Sequence, residues 1–314
     1  MDNYLNLIRG LAITVIGSTF SVSAAAADEC TNTTTFSSSE LYQETANYDY
    51  KTCTVTPDGI KVKLFAIGLC KSAPTVADQS ACTNVFVSES GTEVELTTST
   101  SITLQDDISL DEGVYTNAYI LLATTFGTKA TMVFSTPREA SDGTLGKVCY
   151  SNGPYDETSG VYDNVSCGST GQAIYSWETL KVFPENKSGI RTYNALESFA
   201  FPGSSNLNNL YQLDSSRALS TVTVHDGTDF VNMATVDRPY IMVDQAFTAP
   251  VSILPTSTSL DLAISVTNAA EFGFTSDTAE PSDGYVCPDN NGINGDGCVA
   301  DVVFSGLQLI VTVE

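Results

Sequence analysis

Eight cysteines constrain this chain more than any other feature. They are Cys30, Cys53, Cys70, Cys82, Cys149, Cys167, Cys287 and Cys298, and all come after residue 27. An even number of cysteines in an exported chain reads as disulfides, because oxidising compartments form and keep them. The rival use is zinc, but no Cys-x2-Cys spacing occurs and the only histidine is His225. Eight cysteines allow roughly a hundred pairings. The spacing favours the local ones: Cys30–Cys53, Cys70–Cys82, Cys149–Cys167 and Cys287–Cys298. Each closes a loop of about 10 to 25 residues and contributes on the order of 3 kcal/mol by restricting the unfolded chain.

Residues 1–27 carry the expectation of export. Arg9 is the only basic side chain there, an apolar run extends from Leu11 to Val22, and Ser23-Ala24-Ala25-Ala26-Ala27 precedes Asp28. Basic, then apolar, then small is the order a signal peptidase accepts, with cleavage after Ala26 or Ala27. Thr14, Ser18 and Thr19 interrupt the run, which falls short of the roughly 20 residues a spanning helix needs. The expected localisation is therefore secreted, cell surface or periplasm, with no membrane insertion after the signal is removed.

Asp and Glu total 37 against 13 Lys and Arg, a net charge of −24. Asp2 and Arg9 cancel, so losing residues 1–27 leaves that value unchanged. A field of this sign repels nucleic acid and anionic lipid and attracts divalent cations. Nucleic acid is accordingly not an expected partner.

The patterning is that of short strands. Turn signals recur at Pro57-Asp58-Gly59, Asp142-Gly143, Asp226-Gly227, Asp283-Gly284 and Asp296-Gly297. Between them lie runs of period-2 apolar alternation, as in Leu260, Leu262, Ile264 and Val266, and in Leu307, Leu309, Val311 and Val313. Ile60–Leu69 and Val114–Ala123 are apolar on both faces, as central strands are. Val222–His225, Asp226-Gly227 and Thr228–Val231 read as a hairpin. Helix is scarce: Ser37-Ser38-Ser39-Glu40 has capping-box spacing before Leu41, but the segment after it supports two turns at most. The expected class is all-β, built from antiparallel β-sandwich units with disulfide-stapled loops and little helix. The division expected is a signal peptide at 1–27, a Thr/Ser-rich arm at 28–50 and a first β-sandwich unit at 51–135. A disulfide-stapled loop insertion comes next at 136–199, then a second β-sandwich unit at 200–314. The alternative is one large sandwich that takes strands from both halves.

The segment Gly59 to Phe134 has a recognisable order. The strand Ile60–Leu69 leads to a Cys-bracketed loop, then to Glu93-Val94-Glu95-Leu96, then to Leu110-Asp111-Glu112-Gly113-Val114-Tyr115 entering a long strand. This resembles the transthyretin-like and carboxypeptidase-regulatory-like sandwiches of bacterial surface proteins. Val62–Cys70, with Cys82 and Cys149-Tyr150, is also similar to a group of secreted proteins of marine bacteria. The resemblance implies a β-sandwich and no catalytic residue.

Candidate chemistry is sparse. A histidine-dependent hydrolase would depend on His225 beside Asp226, and no Gly-x-Ser-x-Gly elbow accompanies it. Asp106/Asp107, Asp111/Glu112 and Asp156/Glu157 are carboxylate pairs of the kind a glycosidase uses, though an acidic chain produces adjacent pairs by chance. Between Cys287 and Cys298, Asp289, Asn291 and Asp296 alternate with glycines, which suits a calcium ion; a closed Asn/Gly turn explains the same residues. Asp106, Asp107, Asp111 and Glu112 form a weaker set. Asn32, Asn164 and Asn186 head glycosylation sequons. Tyrosines gather at Tyr42, Tyr48 and Tyr50 and again at Tyr150, Tyr155, Tyr162 and Tyr175, near the only tryptophan, Trp177; such residues favour contact surfaces for sugars and proteins. The C-terminal strand is a candidate for strand addition to a neighbour, or it closes its own sheet.

These readings favour a non-enzymatic exported structural or adhesive protein with no cofactor, partnered by its own copies or other surface proteins. A ligand-binding module for glycans or calcium is the alternative, and a glycosidase the third. Tyrosines and Trp177 on one exposed face would favour binding; a self-complementary edge strand would favour assembly.

Overall fold

The computed structural model describes residues 28–34, 50–98, 110–153, 164–179, 191–194, 196–200, 207–224, 238–257, 259–275 and 298–313. Strands in chain order are β1 (Tyr50–Val55), β2 (Gly59–Cys70), β3 (Cys82–Leu96), β4 (Gly113–Ala123), β5 (Thr125–Lys129), β6 (Thr131–Glu139), β7 (Leu145–Ser151), β8 (Val165–Gly168) and β9 (Ser176–Thr179). They continue with β10 (Arg191–Asn194), β11 (Leu196–Ala200), β12 (Leu207–Leu213), β13 (Thr221–Val224), β14 (Tyr240–Ile253), β15 (Leu260–Ser265), β16 (Ala270–Thr275), β17 (Cys298–Phe304) and β18 (Gln308–Val313). No helix occurs among the described residues, and every strand pairing there is antiparallel, so the protein is all-β.

The largest sheet has eight strands in the order β11-β12-β14-β4-β2-β5-β9, with β3 added beside β2. β4 covers Leu64–Cys70 of β2 and β5 covers Gly59–Lys61, while β3 runs along both stretches. β4 and β5 therefore share one edge of β2, and β3 takes the other. The apolar run Ile60–Leu69 is central for this reason: neighbours flank both its edges and both its faces are buried beyond Lys63. The ranges 51–135 and 200–314 contribute strands to this one sheet, since β14 pairs with β4 from Tyr240↔Ala123 to Ile253↔Gly113.

One face of the large sheet carries Ile60, Val62, Leu64, Ile67, Leu69, Ile120, Leu122 and Phe126, buried against Leu262, Ile264 and Leu309 of the β15–β18 pair. At the entry to β4, Gly113 has φ +146°, which suits glycine. Two residues on, Tyr115 is fully buried and its hydroxyl donates to the Asp111 carbonyl at 2.9 Å. A second core lies between two three-stranded sheets, β1-β16-β17 and β6-β7-β8. Phe134 meets Phe274 edge-on there, 6.2 Å between ring centroids. The parallel stack of Phe126 on Phe304, 4.4 Å apart, joins β17 to the large sheet.

Three local disulfides form as the spacing predicts: Cys30–Cys53, Cys70–Cys82 and Cys149–Cys167. Cys298 is also disulfide-bonded, and its expected partner Cys287 lies outside the described residues. Disulfides of this kind persist in oxidising compartments. The start of the arm is held beside β1: Cys30 N–H donates to the Thr54 carbonyl and Thr54 N–H to that of Asp28, each at 2.8 Å. The range 136–199, expected as a loop insertion, contains the end of β6, all of β7 to β10 and most of β11. Cys149 and Cys167 stand directly opposite in the β7–β8 register, so that disulfide staples a ladder rather than a loop. No helix among the described residues is long and apolar enough to cross a membrane.

Candidate functional site

A straight row of side-chain positions crosses four strands of the large sheet. Glu95 of β3 stands opposite Lys61 of β2, Lys61 opposite Gly127 of β5, and Gly127 opposite Trp177 of β9. Strands lie about 4.8 Å apart, so the row spans roughly 15 Å. Period-2 alternation places Tyr175, Trp177 and Thr179 on the same side, with Thr125, Gly127 and Lys129 facing them from β5.

The glycines decide how the aromatic rings lie. An added Cβ at Gly127 would stand 3.2 Å from Cε2, Cε3 and Cη2 of Trp177 alike. Equal distances to three atoms spread across the ring mean that the indole lies flat over Gly127. Its other face is open, and Trp177 remains 45% exposed. Gly59 makes room for the tip of Tyr175 rather than its face: the hydroxyl is 2.7 Å and Cζ 3.6 Å from where a Cβ would be. The two rings stand 6.2 Å apart and tilted by 43°.

Charged groups frame the rings. Tyr175 donates to Glu95 Oε1 at 2.5 Å, and Lys61 Nζ is 3.9 Å from Glu95 Oε2. The same ammonium sits 4.3 Å above the Tyr175 ring, with Lys129 Nζ at 6.0 Å. Burial raises the Tyr175 pKa well above the ordinary phenol value, reinforced by the hydrogen bond to Glu95 and the negative charges of Glu95 and Asp58. Tyr175 therefore remains a donor and holds Glu95 in place. The result is the flat face of Trp177, with the tilted Tyr175 ring beside it and an exposed carboxylate and ammonium side by side at the rim.

A second polar cluster is buried on the far part of the same sheet. Asp244 of β14 is 4% exposed. It accepts hydrogen bonds from Asn117 Nδ2 at 3.0 Å and Asn209 Nδ2 at 3.3 Å. Desolvation raises its pKa, and the two amides offset part of that shift. The cavity between β14 and β18 has a volume of about 150 Å³ and is lined by Gln245, Phe247, Val251, Leu309 and Val311 among others. That is below the roughly 300 Å³ at which small-molecule pockets begin.

Several sequence candidates fall elsewhere. Asp289, Asn291 and Asp296 of the calcium loop, His225, Asp106, Asp107, Asp156, Glu157, Asn186 and the capping box at 37–40 lie outside the described residues. Val222–Val224 belong to β13, which pairs with β10; the return half of that hairpin also lies outside. Asp111 and Glu112 are exposed, and no set of three His, Cys, Asp or Glu groups that could hold a metal occurs among the described residues. Asn164 is fully buried, donating to Val302 O at 2.6 Å and Ser176 Oγ at 2.8 Å and accepting from Val302 N at 3.0 Å. Its amide is engaged in holding the structure, so in the folded chain the Asn164 sequon is closed. Of the tyrosines grouped by sequence, the structure brings Tyr175 together with Trp177. Lys61, Glu95, Lys129, Gly59 and Gly127 are not apparent from sequence as site residues. The signal for the site in the sequence is the tyrosine group that ends at Tyr175, near the only tryptophan, Trp177.

Comparison with protein-family models, curated proteins and solved structures finds no match.

Proposed function

We propose that this is an exported, non-enzymatic adhesive β-protein that binds carbohydrate on the Tyr175–Trp177 face. The observation that carries the reading is the indole of Trp177, held flat on Gly127 with its outer face open. The C–H face of a pyranose packs on such a surface, and polar groups at the rim hydrogen-bond its hydroxyls. Glu95, Lys61 and Tyr175 supply that rim. The disulfides and the leader-like residues 1–27 support a place outside the cytoplasm. The transthyretin-like resemblance belongs to the same proposal, a surface module that holds a ligand without transforming it.

The strand edges weigh against self-assembly as the primary role. β3 is a long strand on the edge of β2 and carries Glu89, Glu93 and Glu95, the charged residues by which edges discourage pairing. On β18, the Gln245 side chain already occupies the backbone of Leu309.

The test is retention of the oxidised protein on a panel of immobilised polysaccharides, with Trp177→Ala alongside. The expected result is selective retention that weakens about tenfold or more in the variant, the scale of a lost central aromatic contact. Equal retention of both proteins, or none by any glycan, overturns the reading.

A further inference from the structure

Resting on the carbohydrate reading above, we infer that the ligand is a neutral hexopyranose chain recognised through a vicinal diol, not an acidic polysaccharide. Three features of the rim carry this. Lys61 and Glu95 stand 3.9 Å apart, beyond direct hydrogen-bond range, with side chains 40% and 53% exposed. A polar pair at that separation suits a bridging group that can both accept and donate. Adjacent hydroxyls meet that requirement, because each both donates and accepts. The ammonium faces one hydroxyl and the carboxylate the other.

Charge argues in the same direction. Lys61 shares its charge between Glu95 and the Tyr175 ring, and Asp58 is close enough to act on Tyr175 electrostatically. The face offers Lys61 and Lys129 against Glu95 and Asp58, so its charges balance, within a chain of net charge −24. A polyanion gains no local excess of positive charge here and meets repulsion from the whole molecule. The spacing completes the fit: counted from Gly127, over which the indole lies, Lys61 is one column away, about 5 Å, and Glu95 two, about 10 Å, so the Lys61–Glu95 pair lies to one side of the ring. A single pyranose stacked on the indole has rim hydroxyls that reach it.

Trp177 is the only tryptophan, so its emission reports on this face directly. The oxidised protein is titrated with cellotetraose, laminaritetraose and tri-galacturonate at low and high salt. The expected result is saturable change with a neutral oligosaccharide, insensitive to salt. Glu95→Ala is expected to weaken it about tenfold. Tighter binding of tri-galacturonate, lost at high salt, overturns the neutral-diol inference and leaves the carbohydrate reading standing. Neutral binding that Glu95→Ala does not weaken overturns the role of the diol. No change with any of the three sugars, together with no retention on polysaccharide, overturns both readings.

Discussion

The side-chain amide of Gln245 holds both backbone polar groups of Leu309. Its Nε2 donates to Leu309 O at 2.8 Å and its Oε1 accepts from Leu309 N at 2.7 Å, all of it buried. A side chain thus stands in for one residue of a missing neighbouring strand. Asn164 does the same for Val302 of β17, so two sheet junctions share one device. Gln245→Leu fills similar space but leaves a buried N–H and a buried C=O without partners. The expected loss is about 2 to 5 kcal/mol, from the desolvation cost of two unsatisfied groups. Chemical denaturation measures it, with Thr312→Ser, exposed on the same strand, as a surface control within about 0.5 kcal/mol of the parent.

Two glycines lie beneath aromatic partners, and they should respond differently to a methyl group. Gly68 faces Tyr119 across β2 and β4, and an added Cβ would stand 2.2 Å from a ring carbon. Tyr119 cannot retreat, being buried with its hydroxyl bonded to Asn84. Gly127 faces an exposed ring that can tilt away. Gly68→Ala should therefore cost about 3 kcal/mol or more and Gly127→Ala about 1 kcal/mol, the upper and lower ends of overpacking. Gly127→Ala alone should shift the tryptophan emission, because only it displaces Trp177.

The strands most legible in the sequence are those whose own side chains specify their environment. β2 and β4 are apolar on both faces because they are central, and β15 and β18 alternate because one face meets the core. Partners are not legible. Pairing of β4 with β14, or of Tyr50 with Thr275, joins positions far apart in sequence, and alternation is the same for any partner of suitable length. β8 and β9 are hidden because stretches of four residues, Val165-Ser166-Cys167-Gly168 and Ser176-Trp177-Glu178-Thr179, are too short to show a pattern of their own; tertiary pairing makes them strands. The site is half legible for the same reason. Trp177 and Tyr175 are conspicuous by type, but Lys61, Glu95 and Gly127 become neighbours only through register.

The difference between long, self-specified strands and short, dependent ones predicts where reduction should act. Cys70–Cys82 and Cys149–Cys167 each join directly opposed residues, with Cα atoms 4.0 Å apart. Replacing either pair by alanines should cost on the order of 3 kcal/mol from restored loop entropy. The local consequences should differ. β3 retains a long ladder on β2, whereas β8 has four residues and pairs with β7 alone among the described strands. Hydrogen exchange should rise sharply over Val165–Gly168 in the Cys149→Ala/Cys167→Ala protein. The β2–β3 hairpin should stay protected in the Cys70→Ala/Cys82→Ala protein. Equal loss of protection in both would mean that β8 is held by its packing and not by its disulfide.

Asp244 sets the expected response to pH. It is buried on β14 opposite Tyr119, beside Tyr211, and its hydrogen-bond donors are the neutral amides of Asn117 and Asn209. Burial raises its folded pKa above the ordinary 3.8, and the same carboxylate helps burial raise the Tyr211 pKa. Between 3.8 and the raised value, the folded state binds the proton that the unfolded state has released. Stability therefore falls as pH rises through that window, and the penalty is complete above the folded pKa. Asp244→Asn removes the buried charge and leaves one acceptor for Asn117. The variant should unfold at higher temperature than the parent at neutral pH, and the difference should shrink as the pH approaches 3.8. Thermal unfolding across that range decides it: a constant difference between the two proteins would show that Asp244 does not titrate differently in the fold.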